Sequence, residues 1–402
     1  MRNFALLSSF AALSLAAAEP GFLHCQGAQI VDAAGHPVTL RGTNLGNWLV
    51  PEGYMFLFEN GPESRREIDT FFRDIAGPDE TDRFWRDWRD RYITEPDIAA
   101  LAHMGLNLIR LPMHHALLAE GGDGWRHVDA TIAWARKQGL WVILDLHAAP
   151  AGQTGTNIDD SWGYPWLFES EKGQADVVAL WKRIAARYHD NPAVLGYDLL
   201  NEPIPPFNGL PRLNPKLEPL YRRIVTAIRE VDTRHIVILE GPQWASTFAP
   251  FSPPFDDNVM YSFHKYWTAP TREVIQPYLD FRAKYNVPIY MGESGENTDD
   301  WIAKFAKVLD EEKIPWTFWP YKKMENTSAI VTFRKPQHWD AIIEYSKKLG
   351  SVGTAEKKGV QRPTPEQARA ALHDLLEEIS FQHGHVNPGY VRALGMTPLP
   401  PQ

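Results

Sequence analysis

Two glutamates are where this chain could do chemistry. Glu202 ends Leu199-Leu200-Asn201-Glu202-Pro203, and Glu293 ends Ile289-Tyr290-Met291-Gly292-Glu293. Each closes an apolar run beside Pro or Gly turn chemistry. On a (β/α)8 barrel, a carboxylate at the C-terminal end of a strand faces the end that carries the active site. Two such carboxylates are the minimum equipment for cleaving a glycosidic bond, one as proton donor and one as nucleophile or base. Asn201 has an amide able to hold a sugar hydroxyl, which suits its neighbour Glu202 to the acid. Glu293 then suits the nucleophile, which needs positive charge or donors close by. Arg110, in Asn107-Leu108-Ile109-Arg110-Leu111-Pro112, ends an apolar strand and is costly to bury without a carboxylate partner. His147 closes Trp141-Val142-Ile143-Leu144-Asp145-Leu146-His147, and His264 and Tyr266 follow Val259-Met260-Tyr261-Ser262-Phe263. Trp319, in Trp316-Thr317-Phe318-Trp319, could form an aromatic floor under a sugar ring.

These residues need elements to hold them. Apolar runs at Leu40 to Asn44, Leu106 to Pro112, Leu140 to His147, Val194 to Asn201, Ile236 to Glu240, Val259 to His264, Pro288 to Glu293 and Trp316 to Trp319 read as strands. Between them lie amphipathic stretches at Ile98 to Met104, Val128 to Gln138, Val177 to Tyr188, Leu220 to Val231, Arg272 to Tyr285 and Trp301 to Glu312. Gly105, Gly139, Asn191 and Asn286 stand where helices should stop. The alternation predicts an α/β chain folded as a (β/α)8 TIM barrel. A doubly wound sheet would normally carry a G-x-G-x-x-G loop after its first strand, and none is present. Gln29 to Asp32 and Pro37 to Leu40, joined by Ala33 to His36, predict an N-terminal β-hairpin capping the barrel bottom.

The 402 residues carry a net charge of -9, which argues against a nucleic-acid partner. Arg2, the apolar stretch Phe4 to Leu15 and Ala16-Ala17-Ala18 read as a signal peptide over residues 1–18, implying a secreted or periplasmic protein. The single cysteine, Cys25, excludes an intrachain disulfide framework. The barrel is expected over 19–350. Residues 351–402 read as a polar linker followed by a helix, Glu366 to Phe381, docked on the barrel without chemistry of its own. Metal-dependent hydrolysis on a barrel would call for His-x-His after the first strand. Here His114 and His115 are adjacent, so their side chains diverge, and neither metal nor cofactor is expected.

Ile-Arg-Leu-Pro at Arg110, Asp-Leu-His at His147, Asn201-Glu202-Pro203, His264-x-Tyr266, Gly-Glu-Ser at Glu293, and Trp319 occur in this order at successive strand ends. Over about residues 28–345 the chain resembles glycoside hydrolase family 5, the retaining barrels of the cellulase type. The resemblance implies that Glu202 is the acid/base and Glu293 the nucleophile. It implies that Arg110, His264 and Tyr266 orient or charge-balance Glu293, that Asn201 and His147 hold substrate hydroxyls, and that Trp319 is the platform. The implied reaction is double displacement through a glycosyl-enzyme ester, without metal or cofactor. Arg41-Gly42-Thr43-Asn44-Leu45-Gly46-Asn47-Trp48-Leu49-Val50-Pro51-Glu52 is similar to the opening of the exo-β-1,3-glucanase branch, which implies that Glu52 binds the terminal sugar. That branch normally has a second Gly where Asn47 stands. The long loop Gly152 to Trp166 could wall off one end of a cleft and favour exo action. Asn44, Trp162 and Trp267 are further candidates for substrate contact. The expected activity is exo-cleavage of β-bonds in glucan-like saccharides. Endo-acting cellulase or mannanase activity, and arabinofuranoside, galactofuranoside or glycolipid substrates, remain alternatives, as does a sugar-binding barrel without catalysis.

Overall fold

The structure, a computed structural model, describes residues 21–347 and 361–400, so the signal-peptide reading and most of the linker lie outside the described residues. Eight parallel strands close a barrel: β3 (Arg41–Asn44), β4 (Leu108–His114), β5 (Trp141–Ala148), β6 (Val194–Asp198), β7 (Ile236–Glu240), β8 (Val259–Lys265), β9 (Ile289–Ser294) and β10 (Trp316–Phe318), with β10 pairing β3. They coincide with the eight apolar runs. Such runs suit parallel strands because both faces are covered, one by the barrel interior and one by helices.

The barrel helices are α3 (Glu95–Met104), α4 (Gly124–Gln138), α5 (Glu171–Tyr188), α6 (Leu217–Arg229), α8 (Gln276–Tyr285) and α9 (Asp299–Glu311). After β7 there is only a single turn, α7 (Pro242–Ala245), wound left-handed at Gln243, Trp244 and Ala245 with φ of 61°, 58° and 53°. Gly105, Gly139 and Asn286 are left-handed helix caps, as expected. Asn191 is not a cap. It closes a turn by accepting the N–H of Ala193 on its side chain.

Two helices precede the first barrel helix, α1 (Arg65–Ala76) and α2 (Pro78–Arg91). A capping box between Ser64 and Glu67 starts α1, and Pro78 starts α2. Their buried Phe71, Phe72, Phe84, Trp85 and Trp88 form one aromatic cluster with Phe56, Phe58 and Trp339. Much of the tryptophan content is therefore core. Beyond β10, a small sheet of β11 (Lys322–Met324), β12 (Val331–Phe333) and β13 (His385–Val386) joins the barrel to α10 (Trp339–Ser346), α11 (Pro365–Glu378) and α12 (Pro388–Ala393).

The N-terminal hairpin is shifted from its expected register. β1 (His24–Gln26) pairs β2 (Gln29–Val31), while residues 37–40 make only a single bridge, Val31 to Pro37. Pro37 has no N–H to give a ladder. The hairpin still caps the barrel: Leu23, Ile30 and Leu40 pack beneath Leu108, Ile143, Leu195 and Ile236. The helix expected at the C-terminus forms but docks chiefly on α1 and α2 rather than on the barrel wall, while α12 packs on α9. No helix among the described residues is long and apolar enough to cross a membrane.

Candidate active site

Arg110 is the centre of the site. It is buried, and its guanidinium reaches carboxylates from four other strands. Nε donates to Asp198 at 2.8 Å, Nη1 to Glu293 at 2.6 Å, and Nη2 to Glu240 at 2.9 Å, with Asp145 at 3.1 Å from Nη2. Nη2 also donates to Asn201 Oδ1 at 2.9 Å. Burial opposes the charge, but these carboxylates outweigh it and hold Arg110 protonated well above its ordinary range. A guanidinium can do this because its planar fork offers five donors.

Glu293 stands at the end of β9, with Arg110 on one oxygen and the Tyr266 hydroxyl donating to the other at 3.0 Å. Gly292 leaves the room: a Cβ there would meet Ser262 Oγ at 2.5 Å and His264 Nε2 at 2.9 Å. Glu202 follows β6 with a φ of 46°, a left-handed conformation unusual for a residue with a side chain. Its N–H donates to Glu240 Oε2 at 2.6 Å, and its Oε1 lies 2.9 Å from His264 Nδ1. Burial raises the Glu202 pKa, His264 pulls it down, and the nearby Glu293 charge raises it; the net direction is up. His264 is also pushed down by burial, yet Glu240, Glu293 and Glu202 together raise it well above the usual histidine range.

One feature departs from expectation. His264 serves Glu202, at 2.9 Å, and Glu240, at 3.1 Å, more directly than Glu293, at 3.7 Å. Asp145, Asp198, Glu240, Tyr54 and Glu296 were not anticipated. Glu240 and Asp145 did carry a signal, since each is an acid in or ending an apolar strand. What the sequence lacks is any indication that they converge on Arg110.

Glu202 and Glu293 face a cavity of about 600 Å³ lined by Glu52, Tyr54, His147, Asn201, His264, Tyr266, Trp267, Trp319 and, from the long loop, Thr156 and Ile158. Trp319 is stacked on His147 at 5.4 Å and 5°, and donates from Nε1 to Tyr54 Oη at 2.8 Å. Buried polar atoms of several cavity-lining residues lack a hydrogen-bond partner among the described residues, Asn201 Nδ2 and Glu52 Oε1 among them. Burial pushes the Glu52 carboxyl up to about 8 against the pull of His147. The Asn47 substitution has a physical account. Asn47 is left-handed, with a φ of 64°, a conformation open to Gly and tolerated by Asn, and its Oδ1 accepts the Glu52 N–H at 2.9 Å.

Two expected contacts are corrected. Asn44 lies beneath the site and not on the cavity. Its amide donates to the carbonyls of Gly292 and Thr317, and its Oδ1 accepts from Arg110. Trp162 also lies outside the cavity lining, 77% exposed, with the Arg66 guanidinium 3.5 Å over its ring. Trp267 does line the cavity and is 74% exposed at its rim.

The arrangement can supply a proton from Glu202 and a nucleophile from Glu293. Glu202, His264 and Glu293 also offer one ligand atom each within 4.8 Å of one another, a spacing that could hold a metal ion. Those atoms are already engaged with each other and with Tyr266 and Arg110.

The family model for cellulase, glycosyl hydrolase family 5, matches residues 67–325. The chain belongs to glycoside hydrolase family 5. Like its family, it is a hydrolase of glycosidic bonds. A β-xylosidase of Phanerodontia chrysosporium is 30% identical over 421 residues, covering 92% of this family 5 chain and 85% of that protein. A glucan 1,3-beta-glucosidase of Blumeria graminis is 32% identical over 219 residues, 51% of this chain and 50% of that one. The crystal structure of an endogalactoceramidase shares the fold at 18% identity, with a TM-score of 0.61 over 94% of this chain and 86% of that one.

Proposed function

We propose that the protein is a retaining, exo-acting β-glycosidase that removes a terminal pyranose from glucan-like saccharides. One observation carries the reading: an oxygen of Glu202 and an oxygen of Glu293 lie within 4.8 Å across the cavity. Retaining enzymes hold their carboxyls about 5–5.5 Å apart, whereas inverting enzymes leave about 6.5–9.5 Å for a water. Glu293 attacks the anomeric carbon as Glu202 protonates the leaving oxygen, giving a glycosyl ester. Glu202 then takes a proton from water, which hydrolyses the ester. Asn201 Nδ2 is free to hold a hydroxyl of the reacting sugar, and Trp319 forms its floor.

Exo action is supported by the walls: Glu52 and Tyr54 on one side, Thr156 and Ile158 from the long loop on another. It is supported also by relatives named for β-xylosidase and glucan β-glucosidase activity. The β-xylosidase likeness, over most of both chains, favours a second reading in which the terminal sugar is xylose. The Arg2 to Ala18 pattern supports export; the N-terminus of exported protein should then be Glu19, and Met1 on that material would sink the idea.

Glu293→Ala should lower turnover by at least about 10⁴-fold, and added azide should restore part of it as the glycosyl azide of inverted configuration. Near-normal turnover of that variant would overturn the assignment. Activity surviving a chelator would remove the metal reading. Reduced cello-, laminari- and xylo-oligosaccharides, with products sized from the first time points, test the rest. Release of a monosaccharide alone supports exo action, and a spread of oligomers counts against it.

A further inference from the structure

Gln153 lies in the long loop after β5 and is wholly buried, at 0% exposure. It joins the end of β5, which carries His147, to the loop that carries Glu202. Nε2 donates to the carbonyl of His147 at 2.7 Å and to that of Asn201 at 2.9 Å. Oε1 accepts the Ala149 N–H at 2.9 Å, and the Gln153 backbone carbonyl accepts the Ile204 N–H at 3.0 Å. A single residue thus grips the chain on both sides of Glu202, at Asn201 and at Ile204.

The backbone held this way needs holding. Ala151, Glu202 and Ile204 have φ of 67°, 46° and 58°, a region that residues with a Cβ seldom adopt. Besides Gln153, the Asn201–Glu202 stretch has the Glu240 carboxylate on the Glu202 N–H and the Leu146 carbonyl on the Asn201 N–H. Glu240 also serves Arg110 and His264, so it cannot alone fix where the loop stands. A glutamine suits the joint because it alone among side chains of its length has both two amide hydrogens for the carbonyls and an oxygen for Ala149.

We propose that Gln153 is a positioning residue for the acid/base carboxylate: it sets the place of Glu202 relative to Glu293 by bridging the carbonyls of His147 and Asn201. The proposal rests on the reading of Glu202 as proton donor, and it carries a kinetic signature that a general loss of stability does not. A 2,4-dinitrophenolate leaves a sugar without a proton, whereas an alkoxide requires one. Misplacing the acid therefore slows the methyl glycoside far more than the dinitrophenyl glycoside.

The test compares kcat/KM for methyl and 2,4-dinitrophenyl β-D-glucosides and β-D-xylosides in Gln153→Glu, Gln153→Met and Glu202→Ala. Gln153→Glu keeps the shape but faces two carbonyls with no donor. Gln153→Met keeps the length with no charge, and decides the matter if the glutamate variant does not fold. The expected result is a loss of about 30-fold or more on the methyl glycoside against about threefold or less on the dinitrophenyl glycoside, within the usual contribution of a general acid. Equal losses on both substrates, or no loss on either, overturn the proposal. Glu202→Ala separates the two ideas. If it lacks the split, the acid assignment itself fails. If it shows the split and the Gln153 variants do not, the positioning role fails.

Discussion

At the scale of single residues, the site works by opposing environments. Glu202 is raised by burial and by the Glu293 charge, with His264 pulling the other way. If Glu202 is the proposed acid, it acts when protonated, and kcat/KM should fall on the basic side with an apparent pKa above 4.5, the value of an unperturbed glutamate. Glu293→Gln removes a neighbouring charge, so the Glu202 titration followed by carbon NMR should move down. An unmoved titration would separate the two carboxyls. Glu52, pushed up to about 8 by burial, keeps a proton that the unfolded chain has lost above about 4.5. Its contribution to stability is complete below about 4.5 and is lost as pH rises toward 8. Glu52→Gln should therefore raise Tm by a few degrees at pH 8, with a gain that shrinks toward pH 5, while lowering kcat/KM. A gain independent of pH, read by calorimetry, would contradict this. That outcome would mark Glu52 as a residue kept for the proposed ligand contact at a cost in stability.

At the scale of elements, the end of β3 shows how the barrel shapes the cavity. Gly46 lies against the Trp319 ring, where a Cβ would stand 2.5 Å from the indole. Gly46→Ala should displace the floor and lower kcat/KM by about tenfold. Unchanged kinetics would mean that Trp319 is free to shift. The barrel strands were legible because burial on both faces makes each an unbroken apolar run ending at a polar residue. The helices α1 and α2 fall outside the strand–helix alternation and so are not part of the predicted barrel, although Ile68, Phe71, Phe72 and Ile75 follow helical spacing after the Ser64–Glu67 box. The strands β11, β12 and β13 have only two or three residues each, too few to show a period. The hairpin slipped because Pro37, with no N–H to donate, makes a single bridge with Val31 and extends no ladder. Among site residues, those at strand ends were readable one at a time. Their partnership was not, since the acids around Arg110 come from separate strands and meet only once the barrel closes. Trp162 and Asn44 show the limit from the other side. Residue type and position near a strand end do not say whether a side chain faces the cavity, the solvent or the layer below.

At the scale of the molecule, an early and a late stretch of the chain are joined by a buried ion pair. Lys322 Nζ lies 2.7 Å from Asp97, and donates to the carbonyls of Tyr92 at 2.6 Å and Ile379 at 3.0 Å. Burial lowers the Lys322 pKa, and Asp97 opposes the shift. Lys322→Met should cost about 3–5 kcal/mol in denaturant unfolding, because it leaves Asp97 buried and uncompensated. Combining it with Asp97→Asn should recover part of that loss, and failure to do so would show that the pair is not the cause. The same fastening continues outward, where Arg369 donates to the carbonyl of Ala76, 293 positions away in sequence, and Arg91 pairs with Glu377 at 2.5 Å. This has a consequence for the order in which the chain is made. The apolar faces of α1 and α2 emerge from the ribosome well before α11, which packs against both. The turn after Glu52, whose Phe56 packs on Trp339 and accepts its indole N–H at 2.9 Å, can therefore reach its final packing only after Trp339 has been made. Until then the aromatic faces of α1 and α2 stand without that cover.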